Sequence, residues 1–184
     1  MSKRARIAIA VGVLAGLQLA ALGIYLAVQR AREAPRDAFP AQRVTSSERA
    51  PTITGTRASG AGVELAWPAP RMRILHFWGT WCAPCVKELP SLLAFARAMR
   101  QRGADLEIVA IAVNDDWNAV TAFFQGAVPA EVVIESDAAH KRFGVSTLPD
   151  TYLVDRAGAL VERYHGARDW STAVARQHIL SRLR

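Results

Sequence analysis

The sequence predicts an α/β fold, a mixed sheet with helices on both faces, and three observations carry that reading. Two short apolar runs, Ile74 to Trp78 and Leu106 to Val113, have almost no polar relief and suit interior strands covered on both sides. Between them Leu89, Leu92, Leu93, Ala96 and Met99 share one helical face that ends at Gly103. This is a strand, helix, strand unit, and its crossover is expected to be right-handed. Further along, Thr151 to Asp155 and Leu160 to Tyr164 flank a turn at Arg156-Ala157-Gly158 and are placed to pair as a hairpin, which makes the sheet mixed.

Taken in order, residues 1–6 form a basic tail with Lys3, Arg4 and Arg6. Residues 7–28 hold no charge and one polar side chain, Gln18; at about 1.5 Å per residue they suffice for the roughly 30 Å hydrocarbon core of a bilayer. A transmembrane signal-anchor is expected. A cleaved signal peptide is the alternative, with small residues at Ala21-Leu22-Gly23, but the apolar run continues through Ile24, Tyr25 and Leu26. Arg30, Arg32 and Arg36 balance the N-terminal cations, so charge does not set the orientation. The short N-terminal tail favours cytoplasmic retention. A single pass through the cytoplasmic membrane, with the remainder extracytoplasmic and periplasmic, is the resulting expectation. Residues 29–50 contain few large apolar side chains and read as a linker.

Residues 51–184 read as the folded domain. Thr52 to Thr56 and Val63 to Ala66, joined by Arg57-Ala58-Ser59-Gly60-Ala61-Gly62, suit an N-terminal β-hairpin. After the strand, helix, strand unit come a helix from Asn118 to Gln125, a strand from Glu131 to Glu135 and a short helix from Asp137 to Phe143. A last helix from about Asp169 to Leu183 is expected to bury Trp170, Val174, Ile179 and Leu183. Asp115, Asp116, Asp137 and Asp169 are read as strand-end or helix-cap residues.

Composition narrows the function. The net charge of +7 divides unevenly: residues 1–49 hold eight Lys or Arg against three Asp or Glu, while residues 50–184 hold fifteen against thirteen. The domain itself therefore has little field for capturing phosphates, and nucleic acid is not an expected partner. Two cysteines exclude a four-thiolate zinc cage, and His76, His140, His165 and His178 lack the spacing of the other half of a structural zinc site. No metal and no separate cofactor are expected.

The chemistry resides in Phe77-Trp78-Gly79-Thr80-Trp81-Cys82-Ala83-Pro84-Cys85, which sets the cysteine pair after a buried strand and at a helix start. The free N–H groups of a helix's first turn carry about half a positive charge and favour thiolate over thiol. Cysteine pKa values in such settings fall from about 8.5 to between roughly 3.5 and 7.5. Cys82 is then the attacking nucleophile, and Cys85, within one helical turn, resolves the mixed disulfide. Trp81 belongs to the rim of the site. Two inert buried cysteines are the bland alternative, but burial alone seldom requires Pro84 between them and Trp81 before them.

These residues, with Pro90 after the motif and Leu148-Pro149 before a strand, resemble the thioredoxin fold over about residues 50–184. The anchor, the extra hairpin, a central insertion around residues 115–135 and the run Cys85-Val86-Lys87-Glu88-Leu89-Pro90 resemble the membrane-tethered TlpA/ResA/CcmG-like branch. The resemblance implies a cis Leu148-Pro149 bond facing the cysteines, with Leu148 offering backbone groups to an extended substrate; an ordinary trans proline is the alternative. It also implies a functional acid at Glu88, which accepts or supplies a proton during exchange; a solvated helix charge is the alternative. Thioredoxin itself has a buried aspartate where this chain has His76, which either tunes the Cys85 proton or is a satisfied core histidine.

Ala83 and Pro84 supply no cation or side-chain donor to stabilise the reduced thiolate, so a reducing couple is expected. The leading expectation is a thiol:disulfide oxidoreductase that reduces extracytoplasmic client disulfides, apocytochrome c among them, and is recharged by a membrane thiol electron donor. Its redox group would be the Cys82-Cys85 disulfide. A copper metallochaperone using both thiolates is the alternative, although Met72 and Met99 do not cluster with them.

Overall fold

The computed structural model describes residue 16 and residues 18–25, 39–44 and 49–183. The chain divides into two units, Met1–Ala38 and Phe39–Arg184. In the first, residues 18–25 are helical and exposed. Among the described residues no helix is long and apolar enough to cross a membrane, and much of the expected span 7–28 lies outside them.

The second unit carries an eight-stranded sheet. Its strands are β1 (Gln42–Arg43), β2 (Ile53–Thr56), β3 (Gly62–Leu65), β4 (Met72–Trp78), β5 (Leu106–Ala112), β6 (Val132–Glu135), β7 (Asp150–Val154) and β8 (Leu160–His165). The spatial order is β1-β8-β7-β4-β5-β6-β2-β3. β4 is central, parallel to β5 and antiparallel to β7, so the sheet is mixed as the sequence predicts. The helices are α1 (Ala83–Gln101), α2 (Trp117–Phe123), α3 (Ala139–Arg142) and α4 (Ala173–Arg182).

Strand alternation divides the apolar side chains into two cores. Ile74 and Trp78 of β4 and Ile108, Ala110 and Ala112 of β5 face α1, α2 and α4. Leu75, Phe77, Val109 and Ile111 face the opposite way, toward the short α3 with Ala139 and Phe143. Helices thus lie on both faces, unequally. The predicted stripe of α1 is buried along its length from Leu89 to Met99, and Gly103 follows at φ +64°, where a glycine ends a helix at little cost. The hairpin forms with Ile53 opposite Leu65 and extends the main sheet through β6. The region expected as an insertion supplies α2 and β6, the latter parallel to β5.

Two boundaries differ from the sequence reading. Part of the expected linker belongs to the folded unit: Phe39 is buried, β1 pairs with β8, and the Ala50 N–H bonds the Gly158 carbonyl. One aromatic ring and a few backbone hydrogen bonds suffice to dock a segment whose composition could not fold alone. The last helix begins later than expected. Asp169 folds its carboxylate back on Ser171 while Thr172 caps Ala175, so Trp170 lies before the helix, buried by tertiary contacts. Asp116 does cap α2, whereas Asp137 pairs with Arg142 and Ala138 stands at the α3 start.

Candidate active site

The motif loop Gly79-Thr80-Trp81 leaves the end of β4 and delivers Cys82 to the N-cap position of α1. Cys82 has extended backbone, its N–H bonds the Gly79 carbonyl, and its own carbonyl accepts from Val86. Pro84 fits this first turn because its missing N–H has no intrahelical partner there. Ala83 and Pro84 are exposed, with no charged group between the cysteines. Cys82 and Cys85 are joined in a disulfide with Cα atoms 5.2 Å apart. Cys82 keeps 7% exposure and Cys85 none, so the first sulfur is the one an incoming molecule meets.

Neighbouring elements fix the loop. The Asp115 carboxylate accepts from the Thr80 N–H at 2.7 Å and the Thr80 hydroxyl at 3.0 Å. Trp81 Nε1 donates to the Val113 carbonyl at 3.2 Å, which sets the indole on the surface beside the disulfide, 59% exposed. A Cβ at Gly79 would stand 2.8 Å from that indole, so glycine is what lets the ring lie across the loop.

On the other side of β4, Phe77 pairs with Asp150, which brings Pro149 to the end of the sheet from which the motif departs. The Leu148-Pro149 bond is cis, and Leu148 packs against the core that contains both cysteines. The Pro149 carbonyl accepts from Gly166, and fully buried Asp150 is held by Arg163 through its Nε and Nη2.

Two buried ionisable groups share the α1 side of the sheet. Glu88 is 3% exposed rather than on the helix surface. Its Oε1 accepts from Trp170 Nε1 at 2.5 Å, and its Oε2 has no hydrogen-bond partner among the described residues. Burial raises its pKa to about 7, against the opposing pull of the Trp170 N–H and of the Arg168 backbone and charge. His76 is wholly buried, bonds Thr151 Oγ1 through Nδ1 at 2.8 Å, and leaves Nε2 without a partner among the described residues. Burial lowers its pKa to about 3, so it is neutral at physiological pH.

A cysteine pair at a helix N-terminus, backed by a buried acid and flanked by a cis-proline turn, is built for thiol and disulfide exchange. Comparison with known proteins agrees. A thioredoxin-like family model matches residues 70–160. The thiol-disulfide oxidoreductase ResA of Bacillus subtilis (strain 168) is 32% identical over 166 residues, covering 88% of this chain and 86% of its own. The chain belongs to the TlpA/ResA/CcmG-like thiol:disulfide oxidoreductase family. A second ResA, from Bacillus thuringiensis (strain Al Hakam), is 31% identical over 129 residues, covering 68% of this chain and 72% of its own. Among solved structures, a DsbE-type thiol:disulfide interchange protein from Chlorobium tepidum superposes with a TM-score of 0.60 at 25% identity, over 74% of this chain and 96% of that one. StoA from Bacillus subtilis shares the fold, with a TM-score of 0.53 at 22% identity, over 65% of this chain and 91% of that one.

Around the motif of this thiol-disulfide oxidoreductase lie side chains that pattern alone did not single out. Asp115 looked like a cap because Asp116 beside it is one. Trp170 looked like part of a helical stripe, and nothing local distinguishes an indole that faces a carboxylate far away in sequence. Asp150, next to Pro149, carried the one available hint, a charged residue opening an otherwise uncharged strand.

Proposed function

We propose that this enzyme is anchored in the cytoplasmic membrane by residues 7–28 and reduces client disulfides outside the cytoplasm. The observation that carries the reading is the graded burial of the two sulfurs at the α1 N-terminus, with Glu88 enclosed three residues beyond Cys85. In the reduced enzyme the Cys82 thiolate attacks one sulfur of a client disulfide. A Cys82-client disulfide forms, the client S–S bond breaks, and the departing client thiolate takes a proton from solvent. The Cys85 thiol then gives its proton to the Glu88 carboxylate and attacks the Cys82 sulfur. The second client thiolate leaves, two electrons have passed to the client, and the Cys82-Cys85 disulfide remains.

Trp81 and the Leu148 backbone at Pro149 are the docking groups for an extended client segment, and His76 stays a neutral core partner of Thr151 that limits charge beneath the site. Ala83 and Pro84 add nothing that stabilises the thiolate, which favours electron donation. Apocytochrome c before haem attachment is a client of the right chemistry, and a membrane dithiol donor must return the two electrons.

Trapping tests the reading. With Cys85→Ala, client mixed disulfides through Cys82 should accumulate, and at pH 7 Cys82 of the reduced enzyme should alkylate about tenfold faster than a peptide thiol. Alkylation at the peptide rate together with no trapped client rejects it.

A further inference from the structure

The acid that the proposed mechanism uses is held by a residue from the far end of the chain. Trp170 lies in the turn between β8 and α4 and is wholly buried. Its backbone N–H donates to Ser91 Oγ at 3.2 Å, Ser91 Oγ donates to the Glu88 carbonyl at 2.8 Å, and its indole Nε1 donates to Glu88 Oε1 at 2.5 Å. Trp170 is therefore fastened to α1 at two points, by its backbone N–H to Ser91 and by its indole to the Glu88 carboxylate.

Aromatic rings fix its plane. Trp170 meets Phe39 edge-on at 4.8 Å and Tyr164 edge-on at 5.5 Å, and Phe95 lies tilted against it at 5.7 Å. Phe39 begins the folded unit, and the β1 segment that follows it runs along β8. A buried ring with its donor committed in this way cannot rotate without breaking the side-chain hydrogen bond that the Glu88 carboxylate accepts.

We propose that Trp170 is the positioning residue for Glu88 and that Phe39 holds Trp170 in place, so that the segment leading into the domain helps set the proton-transfer site beside Cys85. This rests on the reading of Glu88 as the proton acceptor. Other ionisable groups around the contact are Arg168 in the same turn, His76 on β4, and the Glu162, His178 and Arg182 group beside Tyr164.

The test reads the Glu88 carboxyl midpoint by carbon NMR in the full chain with its disulfide intact. Trp170→Phe keeps a ring and removes the donor, and a charge-assisted hydrogen bond lost from the anion should move the midpoint up by about one pH unit or more. Phe39→Ala should move it the same way by less. Trp117→Phe, which removes an indole bonded to Thr56, should leave it unchanged. An unmoved midpoint in Trp170→Phe overturns the proposal, and one unmoved in Phe39→Ala overturns the part concerning the arm. Should Trp170→Phe fail to fold, the wild-type Trp170 indole N–H resonance decides: it must titrate with Glu88, and a flat resonance overturns the proposal. Because the disulfide form is measured, these readouts stand even if the chain reduces no client, so the two readings fail separately.

Discussion

Burial drives Glu88 and His76 in opposite directions, and stability against pH should show both. Glu88 holds its proton more tightly folded, with a pKa of about 7, than unfolded, at 4.5. The stability that its neutral form allows is complete below 4.5 and is lost as pH rises to 7, by about 3 kcal/mol in all. His76 resists its proton when folded, with a pKa of about 3 against 6.5. Its contribution is complete above 6.5 and is lost as pH falls toward 3, by about 5 kcal/mol at most. Between 4.5 and 6.5 the two slopes oppose each other. Urea unfolding of the disulfide form should show Glu88→Gln gaining on the wild type from pH 4.5 to 7, and His76→Leu losing less than the wild type below pH 6. Parallel curves for either variant contradict its assignment. The family resemblance singled out Glu88, but its burial was not legible: a helix glutamate next to Lys87 looks solvated until Trp170, distant in sequence, covers it.

At the scale of elements, the loop before Cys82 depends on Asp115, at the end of β5, as much as on its own residues. Asp115→Ala removes the acceptor for two Thr80 donors and should cost about 2 kcal/mol, with slower mixed-disulfide formation at Cys82. Asp115→Asn keeps one acceptor oxygen and should fall between. Thermal unfolding together with single-turnover exchange checks this, and an unchanged exchange rate in Asp115→Ala means that the loop holds itself. The central strands and α1 were legible because their apolar periods are long and unambiguous, as in β4 and the Leu89 to Met99 stripe. The start of α4 was not, because Asp169 and Thr172 are both good caps and only their different hydrogen bonds separate them.

For the molecule as a whole, the folded unit reaches back to Phe39, and a domain cut at Pro51 should be incomplete. It would leave the space between Trp170, Tyr164 and His178 unfilled and the β8 edge unpaired. Loss of one buried phenyl ring alone costs roughly 3–5 kcal/mol. Urea unfolding of chains beginning at Ala38 and at Pro51 measures the difference, and equal midpoints would mean that the arm contributes nothing. Sequence reading missed this because a two-residue strand has no period, and a single phenylalanine among Ala, Pro and Arg has no pattern to mark it. The rims of the sheet have a consequence of their own. One ends in a strand of two residues bearing Arg43, the other in four residues with Glu64 turned outward. Short, charged borders give a neighbouring copy no template to zip onto, so even dense arrays of this protein should stay as separate particles and not knit into ribbons.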